Sequence, residues 1–337
     1  MKFLMLRGQV PQDRDPQEII FDYLADVDDM WTQLFYKLVG SNDWAEIWYW
    51  GGTREKLFNH NFVERWSLSF EKIYEGKYNF FTCHSPDVIF CRGGFKEYHC
   101  VLKRFPKAIK IYYGAGTRFL PQSAFDDYDI ILQDSPEQVK ICKEKFPKAL
   151  TTLFIKPAPD NLFYPLNGIK KEYDICFPAD GRPSRKGHDF IYSTIPKHLK
   201  VLNLGFPTRH AKKPDNVVSY RVLKPEMPRH IQKCKIGIIA STIQGKLSGD
   251  SCPRTIPELL ACDIPIVVLD ELEFWLEKYI TSMTGRLASR ENYWETVQDV
   301  LDNRDEYNPR KYYEENLSLN HAATFLKEKI RQVMKGE

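Results

Sequence analysis

The chain has 337 residues and 39.6 kDa, which at about 150 residues per domain predicts two domains. Its 43% apolar and 14% aromatic residues can fill two cores, which excludes disorder as the main state. Lys+Arg 48 against Asp+Glu 45 leaves +3, which argues against a dedicated nucleic-acid or polybasic membrane surface and leaves room for a local basic cleft.

Met1 to Leu6 reads as a buried strand ending at Arg7-Gly8, before a Pro/Asp-rich loop to Pro16. That apolar run is too short for a signal-peptide core and has no small-residue cleavage site. Asp26 to Gly40 reads as a helix, with Asp28 and Asp29 at its start and Met30, Trp31, Leu34, Phe35 and Leu38 at helical spacing. Strands follow at Ala45 to Trp50, stopped by Gly51-Gly52, and at Asp87 to Cys91, stopped by Arg92-Gly93-Gly94. Ala108 to Tyr113 is another, stopped by Gly114-Ala115-Gly116, and Tyr128 to Leu132 another, after which Ser135-Pro136 opens a helix to about Phe146. Short apolar strands alternating with helices predict a parallel sheet with crossover helices.

The segment from Phe154 to Pro165 breaks that rhythm. Pro157, Pro159 and Pro165 exclude both a helix and a central strand, which makes it the linker. Strands are then expected at Asp174 to Phe177, Lys200 to Leu204, Val217 to Tyr220, Ile236 to Ala240 and Ile264 to Leu269. Helices fall between them, at Lys186 to about Ser193, Pro228 to Lys233, Arg254 to Cys262 and Tyr293 to Leu301. Pro309 to Lys335 closes the chain with apolar positions at helical spacing. Two α/β halves joined by a proline-rich hinge point to a nucleotide-handling cleft, because ligands of open parallel sheets bind beyond the strands' carboxyl ends.

The eight cysteines, Cys83, Cys91, Cys100, Cys142, Cys176, Cys234, Cys252 and Cys262, contain no C-x-x-C pair. A reduced, cytoplasmic chain is expected, with no stretch near the roughly 18–20 apolar residues of a membrane span. Asp26-Val27-Asp28 matches the Asp-x-Asp by which some sugar transferases of another fold hold a metal, but its place at a helix start is explained by capping. No metal is therefore expected. The aromatic run Trp44, Trp48, Tyr49, Trp50 reads as strand packing, and His84 and His99 as structural histidines.

Two constellations carry the chemistry. After the strand ending at Phe177 come Gly181, Arg182, Arg185, Lys186 and Gly187, leading into a helix. Cations and free backbone N–H groups there would suit a diphosphate, although taken alone the loop also reads as a solvated basic turn. Further on, Asp250 lies on a loop feeding a helix that Pro257 should start close to Glu258. A first-turn Glu258 would face the cleft and accept from hydroxyls, or simply complement the helix dipole.

In order and spacing, these features together with Pro225 to Cys234, Ile236 to Ser241 and Ile264 to Val268 resemble the C-terminal half of retaining GT-B glycosyltransferases of the E-x7-E, group 1 type. The linker resembles that family's Pro-Asn-Gly-Val-Asp…Phe-x-Pro segment at Lys156 to Asp160 and Phe163 to Pro165, and the likeness spans roughly residues 108–335. It implies an α/β GT-B architecture of two Rossmann-like domains with parallel sheets facing a central cleft. Residues 1–165 would form the acceptor domain and 166–310 the nucleotide-sugar domain, with the 311–337 helix packing back on the first. Arg182 and Lys186, with Arg185 and Gly8, would hold the donor diphosphate, and Val222, Leu223 and Lys224 would lie near the base. Glu258 would bind the ribose hydroxyls and Asp250 the transferred sugar, these two being the catalytic pair. Arg92, Tyr113, Gly114 and Arg118 would line the acceptor side.

The sequence departs from the family in having Asp at 250, a shorter Arg-to-Lys spacing and a longer loop between Ser241 and Asp250. The expected activity is transfer of a hexose from a UDP- or GDP-sugar to a hydroxyl acceptor with retention, using no cofactor besides that donor. A sugar-nucleotide epimerase of the same fold and a nucleotide-sugar-binding protein are the alternatives. A hydroxylated base in DNA is an alternative acceptor, for which Arg7, Arg14, Arg54, Arg92, Arg104 and Arg118 could supply a cationic cleft.

Overall fold

A computed structural model describes residues 1–7, 30–38, 44–50, 56–59, 63–68, 85–93, 98–114, 128–180, 186–206, 208, 211–241, 253–272 and 276–336. Among these, one compact unit holds residues up to Phe154, Met30 excepted, together with those from Ala323 onward; the other holds Ile155 to Ala322.

The first unit is built on β1 (Lys2–Arg7), β2 (Trp44–Trp50), β3 (Lys56–Asn59), β4 (Val63–Leu68), β5 (Val88–Arg92), β6 (Ile109–Gly114), β7 (Ile130–Gln133) and β8 (Leu150–Leu153). They form one sheet in the order β3-β4-β2-β1-β5-β6-β7-β8. Every neighbouring pair is parallel except β3 and β4. Burial on both faces explains why the central strands are continuously apolar. On one face Leu4, Leu6, Ile89, Cys91 and Ile131 pack under α2 (Tyr98–Arg104) and α3 (Pro136–Lys145). On the other, Trp31 of α1 (Met30–Leu38) stacks at 5.4 Å on Phe154, which also meets Phe325 at 6.2 Å.

The second unit carries β9 (Tyr173–Phe177), β10 (Val201–Leu204), β11 (Val217–Tyr220), β12 (Cys234–Ile239), β13 (Ile266–Leu269) and β14 (Gly285–Ala288). Their order, β11-β10-β9-β12-β13-β14, is all parallel and doubly wound. Alternation along β13 sends Ile266 and Val268 to one core and Val267 and Leu269 to the other. The first core lies under α6 (Thr255–Ala261) and α8 (Pro309–Asn316); the second lies under α4 (His188–Thr194) and α7 (Tyr293–Asp302). Between β11 and β12 lies the short α5 (Met227–Ile231), and α9 (Leu319–Lys335) ends the chain.

The proline-rich segment has no regular structure, so its backbone groups need side-chain partners. Tyr279 accepts from the Lys156 N–H at 2.7 Å, and Tyr313 accepts from the Ala158 N–H at 3.0 Å. The Tyr313 hydroxyl donates to the Asp160 carboxylate, which also takes the Leu319 N–H at 3.2 Å and so caps α9.

Three expectations change. The helix carrying Glu258 starts at Thr255, within the expected span Arg254 to Cys262 but not close to Glu258, because Pro257 occupies its first turn, where the missing N–H would have no helical partner. Pro309 to Lys335 is two helices, broken at Leu317-Ser318 where Asp160 caps the second. The helix expected from Lys186 starts at His188, with Gly187 as its cap. No disulfide joins the described cysteines, and burial pushes Cys262 up to about 12. Among the described residues, no helix is long and apolar enough to cross a membrane.

Candidate functional site

β9 and β12 are neighbours, yet the chain leaves β9 toward β10 on one side and returns to β12 on the other. Their carboxyl ends form the switch point at which a doubly wound sheet opens a crevice. Lys186 and Gly187 lie here: Gly187 has φ 76°, and a Cβ on it would fall 1.9 Å from the carbonyl oxygen of Ala240, just beyond β12. Only glycine lets the loop pass that close to the strand end. Arg182 and Arg185 lie outside the described residues, as do Gly8, Asp250 and Arg118.

The end of β9 is held from β10. Asn203 is fully buried and donates through Nδ2 to the carbonyls of Phe177 and Ala179, each at 2.8 Å. Its Oδ1 accepts from Tyr192 at 3.1 Å and Ser219 at 2.9 Å. Beside it Gly205 admits the same segment, since a Cβ there would fall 2.1 Å from the Ala179 oxygen. His188, the first residue of α4, is buried with its ring 4.8 Å from Phe177 and 5.4 Å from Tyr192. Neither ring nitrogen reaches a hydrogen-bond partner. Burial lowers its pKa below the usual imidazole value.

Glu258 is 3% exposed in the first turn of α6. Its Oε1 accepts from the Lys224 ammonium, while Oε2 has no hydrogen-bond partner. Lys224 opens a single 3-10 turn after Val222 and Leu223, and its ammonium sits 4.8 Å from the ring centroid of Phe163. Val222 packs against the core beneath. The buried carboxylate therefore has one oxygen held by an ammonium and the other, itself buried, without a hydrogen-bond partner.

In the first unit, Arg92 and Tyr113 are register partners at the carboxyl ends of β5 and β6, with Gly114 next along the strand. Arg7 of β1 is in turn the register partner of Arg92. The Tyr113 side chain is turned inward. It is buried, donates its hydroxyl to Asp134 at 2.7 Å and packs its ring 4.2 Å from Trp31, so the core claims it. A Cβ on Gly114 would fall 2.5 Å from the Tyr112 hydroxyl. Asp26, Asp28 and Asp29 lie outside the described residues, among which no three His, Cys, Asp or Glu side chains gather as metal ligands.

Sequence reasoning passed over Asn203 and His188. The signal for Asn203 was a single polar residue inside the strand Val201-Leu-Asn-Leu204, which must find partners if buried.

No protein-family pattern and no curated protein sequence matches the chain. Solved structures do. Sucrose-phosphate synthase from Thermosynechococcus elongatus is 11% identical, with TM-score 0.69 over 100% of both chains. HepE from Anabaena, in complex with UDP and glucose, is 12% identical with TM-score 0.64, over 98% of this chain and 100% of that one. An α-glucosyltransferase in complex with UDP and a 13-mer DNA containing an HMU base is 11% identical with TM-score 0.67, over 98% and 99%. At such identities the likeness establishes architecture: the chain has the GT-B fold of these glycosyltransferases.

Proposed function

We propose that this protein is a retaining glycosyltransferase that moves a hexose from a UDP-sugar to a hydroxyl acceptor, without a metal. The observation that carries the reading is Glu258, buried at the carboxyl end of a doubly wound sheet with Oε2 unpartnered. A ribose diol supplies the donors that this oxygen lacks. The crevice at Lys186 and Gly187 supports the same reading, as do structural neighbours bound to UDP, one of them also to glucose.

In this reading Lys186, with Arg182, Arg185 and the backbone of Gly8, neutralises the departing diphosphate, so that charge developing on the leaving group meets fixed positive partners. Asp250 contacts the transferred sugar. The acceptor hydroxyl attacks from the face the diphosphate leaves, forming the new glycosidic bond and giving its proton to the diphosphate. Arg92, Gly114 and Arg118 belong to the acceptor side, with Tyr113 contributing only its backbone.

The acceptor has a second reading, a hydroxylated pyrimidine in DNA. Arg7 and Arg92 side by side at the ends of β1 and β5 favour it, as does the neighbour solved with modified DNA.

The test is thermal-shift binding of UDP-, GDP- and ADP-sugars, followed by transfer assays and NMR of the product anomer. Hydroxymethylated DNA and glycan acceptors are offered in parallel. Glu258→Gln and Lys186→Ala should abolish donor turnover and leave melting intact. Full activity in both overturns the reading. Donor binding without turnover under every acceptor makes the protein a nucleotide-sugar binder, and a changed sugar still attached to its nucleotide makes it an epimerase.

A further inference from the structure

Lys224 and Glu258 stand 34 residues apart in the chain, on a turn after β11 and on α6, and meet as an ion pair with side chains only 15% and 4% exposed. A carboxylate so deeply buried is costly unless paired. Lys224 supplies the pair, and its own seat is fixed from below by the fully buried ring of Phe163, 4.8 Å from the ammonium. Phe163 belongs to the proline-rich segment, which Arg310 holds in place by donating to the Phe163 carbonyl at 3.3 Å. The contact takes Oε1 and leaves the buried Oε2 without a hydrogen-bond partner.

Building on the nucleotide-sugar reading, we propose that Lys224, seated over Phe163, is a positioning residue that holds the Glu258 carboxylate turned so that Oε2 meets a ribose hydroxyl. In this assignment Lys224, which the family likeness sets near the base, acts on the ribose through Glu258. A lysine that served only stability would change melting and leave the protein's ability to tell ribose from deoxyribose intact.

The experiment is calorimetric titration of the full chain with UDP and with 2′,3′-dideoxy-UDP, with the corresponding GDP pair run alongside. The wild type should prefer the ribonucleotide by roughly tenfold or more, the scale of a hydrogen bond to a charged group. Lys224→Met should shrink that preference to within about twofold by weakening the ribonucleotide alone, and Lys224→Arg should restore most of it. Lys224→Met with the wild-type preference overturns the assignment to Lys224 and leaves the ribose reading standing. A wild type that binds both nucleotides of each pair equally overturns the ribose reading itself, and the assignment with it. Should Lys224→Met not fold, Phe163→Leu decides: a preference reduced several-fold, by loss of the aromatic seat, supports the assignment, and an undiminished one overturns it.

Discussion

Gly187 and Ala240 meet backbone to backbone: a Cβ on Gly187 would fall 1.9 Å from the Ala240 carbonyl oxygen. The obstacle is main chain at the end of a buried strand, so no rotamer change relieves it. Gly187→Ala also places an L side chain at φ 76°, a conformation costing about 1–2 kcal/mol by itself. The expected loss exceeds ~2 kcal/mol in urea unfolding, accompanied by loss of donor binding. Gly168→Ala is the control, at the same φ 76° with nothing within 4 Å. It should show the conformational cost alone and keep donor binding; equal losses in the two variants would remove the close approach as the cause.

Tyr313 gathers three partners through one hydroxyl: the Ala158 N–H at 3.0 Å, the Ala158 carbonyl at 3.1 Å and the Asp160 carboxylate. Tyr313→Phe strands the Ala158 groups and frees the carboxylate that caps α9, and should cost about 1–3 kcal/mol in chemical denaturation. Burial, with the Asp160 charge adding to it, holds the phenol well above its ordinary pKa. The contribution is therefore complete below about pH 10, the unfolded value, and is lost as pH rises beyond it. Wild type and Tyr313→Phe should converge in stability at strongly alkaline pH, and a constant difference across that range would refute the linkage.

Much of this architecture was legible because central strands of a parallel sheet are buried on both faces and so announce themselves as apolar runs, as Ile266-Val-Val-Leu269 does. Edge strands, and β4 next to the edge, escape that rule. Lys56-Leu-Phe-Asn59 and Val63-Glu-Arg-Trp-Ser-Leu68 mix charge with apolar residues, and β14 exposes Leu287 by 43%. The short α2 carries Tyr98, Val101 and Leu102 at helical spacing, but its 7 residues are too few for that period to stand out. At the site, the sequence singled out Lys224 and Glu258 separately, but their pairing depends on how a turn after β11 meets a helix after β12. Nothing local encodes that contact. Tyr113 shows the same from the other side: nothing local to this strand-end tyrosine says that Asp134 and Trp31 take its side chain.

His188 sits between the rings of Phe177 and Tyr192 with both nitrogens unpartnered. Burial depresses its pKa, so the folded chain resists a proton that the unfolded chain accepts near pH 6.5. Its contribution is full above about pH 6.5 and is lost as pH falls toward the depressed folded value. Stability measured from pH 7.5 to 5 should therefore fall more steeply for wild type than for His188→Phe, which fits the same aromatic surroundings. Parallel curves would show that His188 does not titrate in that window.

Asn203 makes the sharpest demand on its neighbours, because it satisfies two carbonyls of the segment leading from β9 and two hydroxyls from α4 and β11 with one side chain. Asn203→Ala leaves those four groups to repartner inside a buried layer and should cost about 3 kcal/mol by thermal or urea unfolding. Asn203→Asp should be at least as damaging despite its matching shape, since it presents an acceptor where Phe177 and Ala179 both offer acceptors. Ser219→Ala removes one hydroxyl that also donates to Gly205 at 3.1 Å, and should cost about 1 kcal/mol. The order Asp at least as costly as Ala at position 203, with both far above Ser219→Ala, is the signature of a clasp on the strand end. If Asn203→Asp is the mildest of the three, the amide does not hold Phe177 and Ala179 as donor, and the loop that follows must be positioned by Gly187 and Gly205 alone.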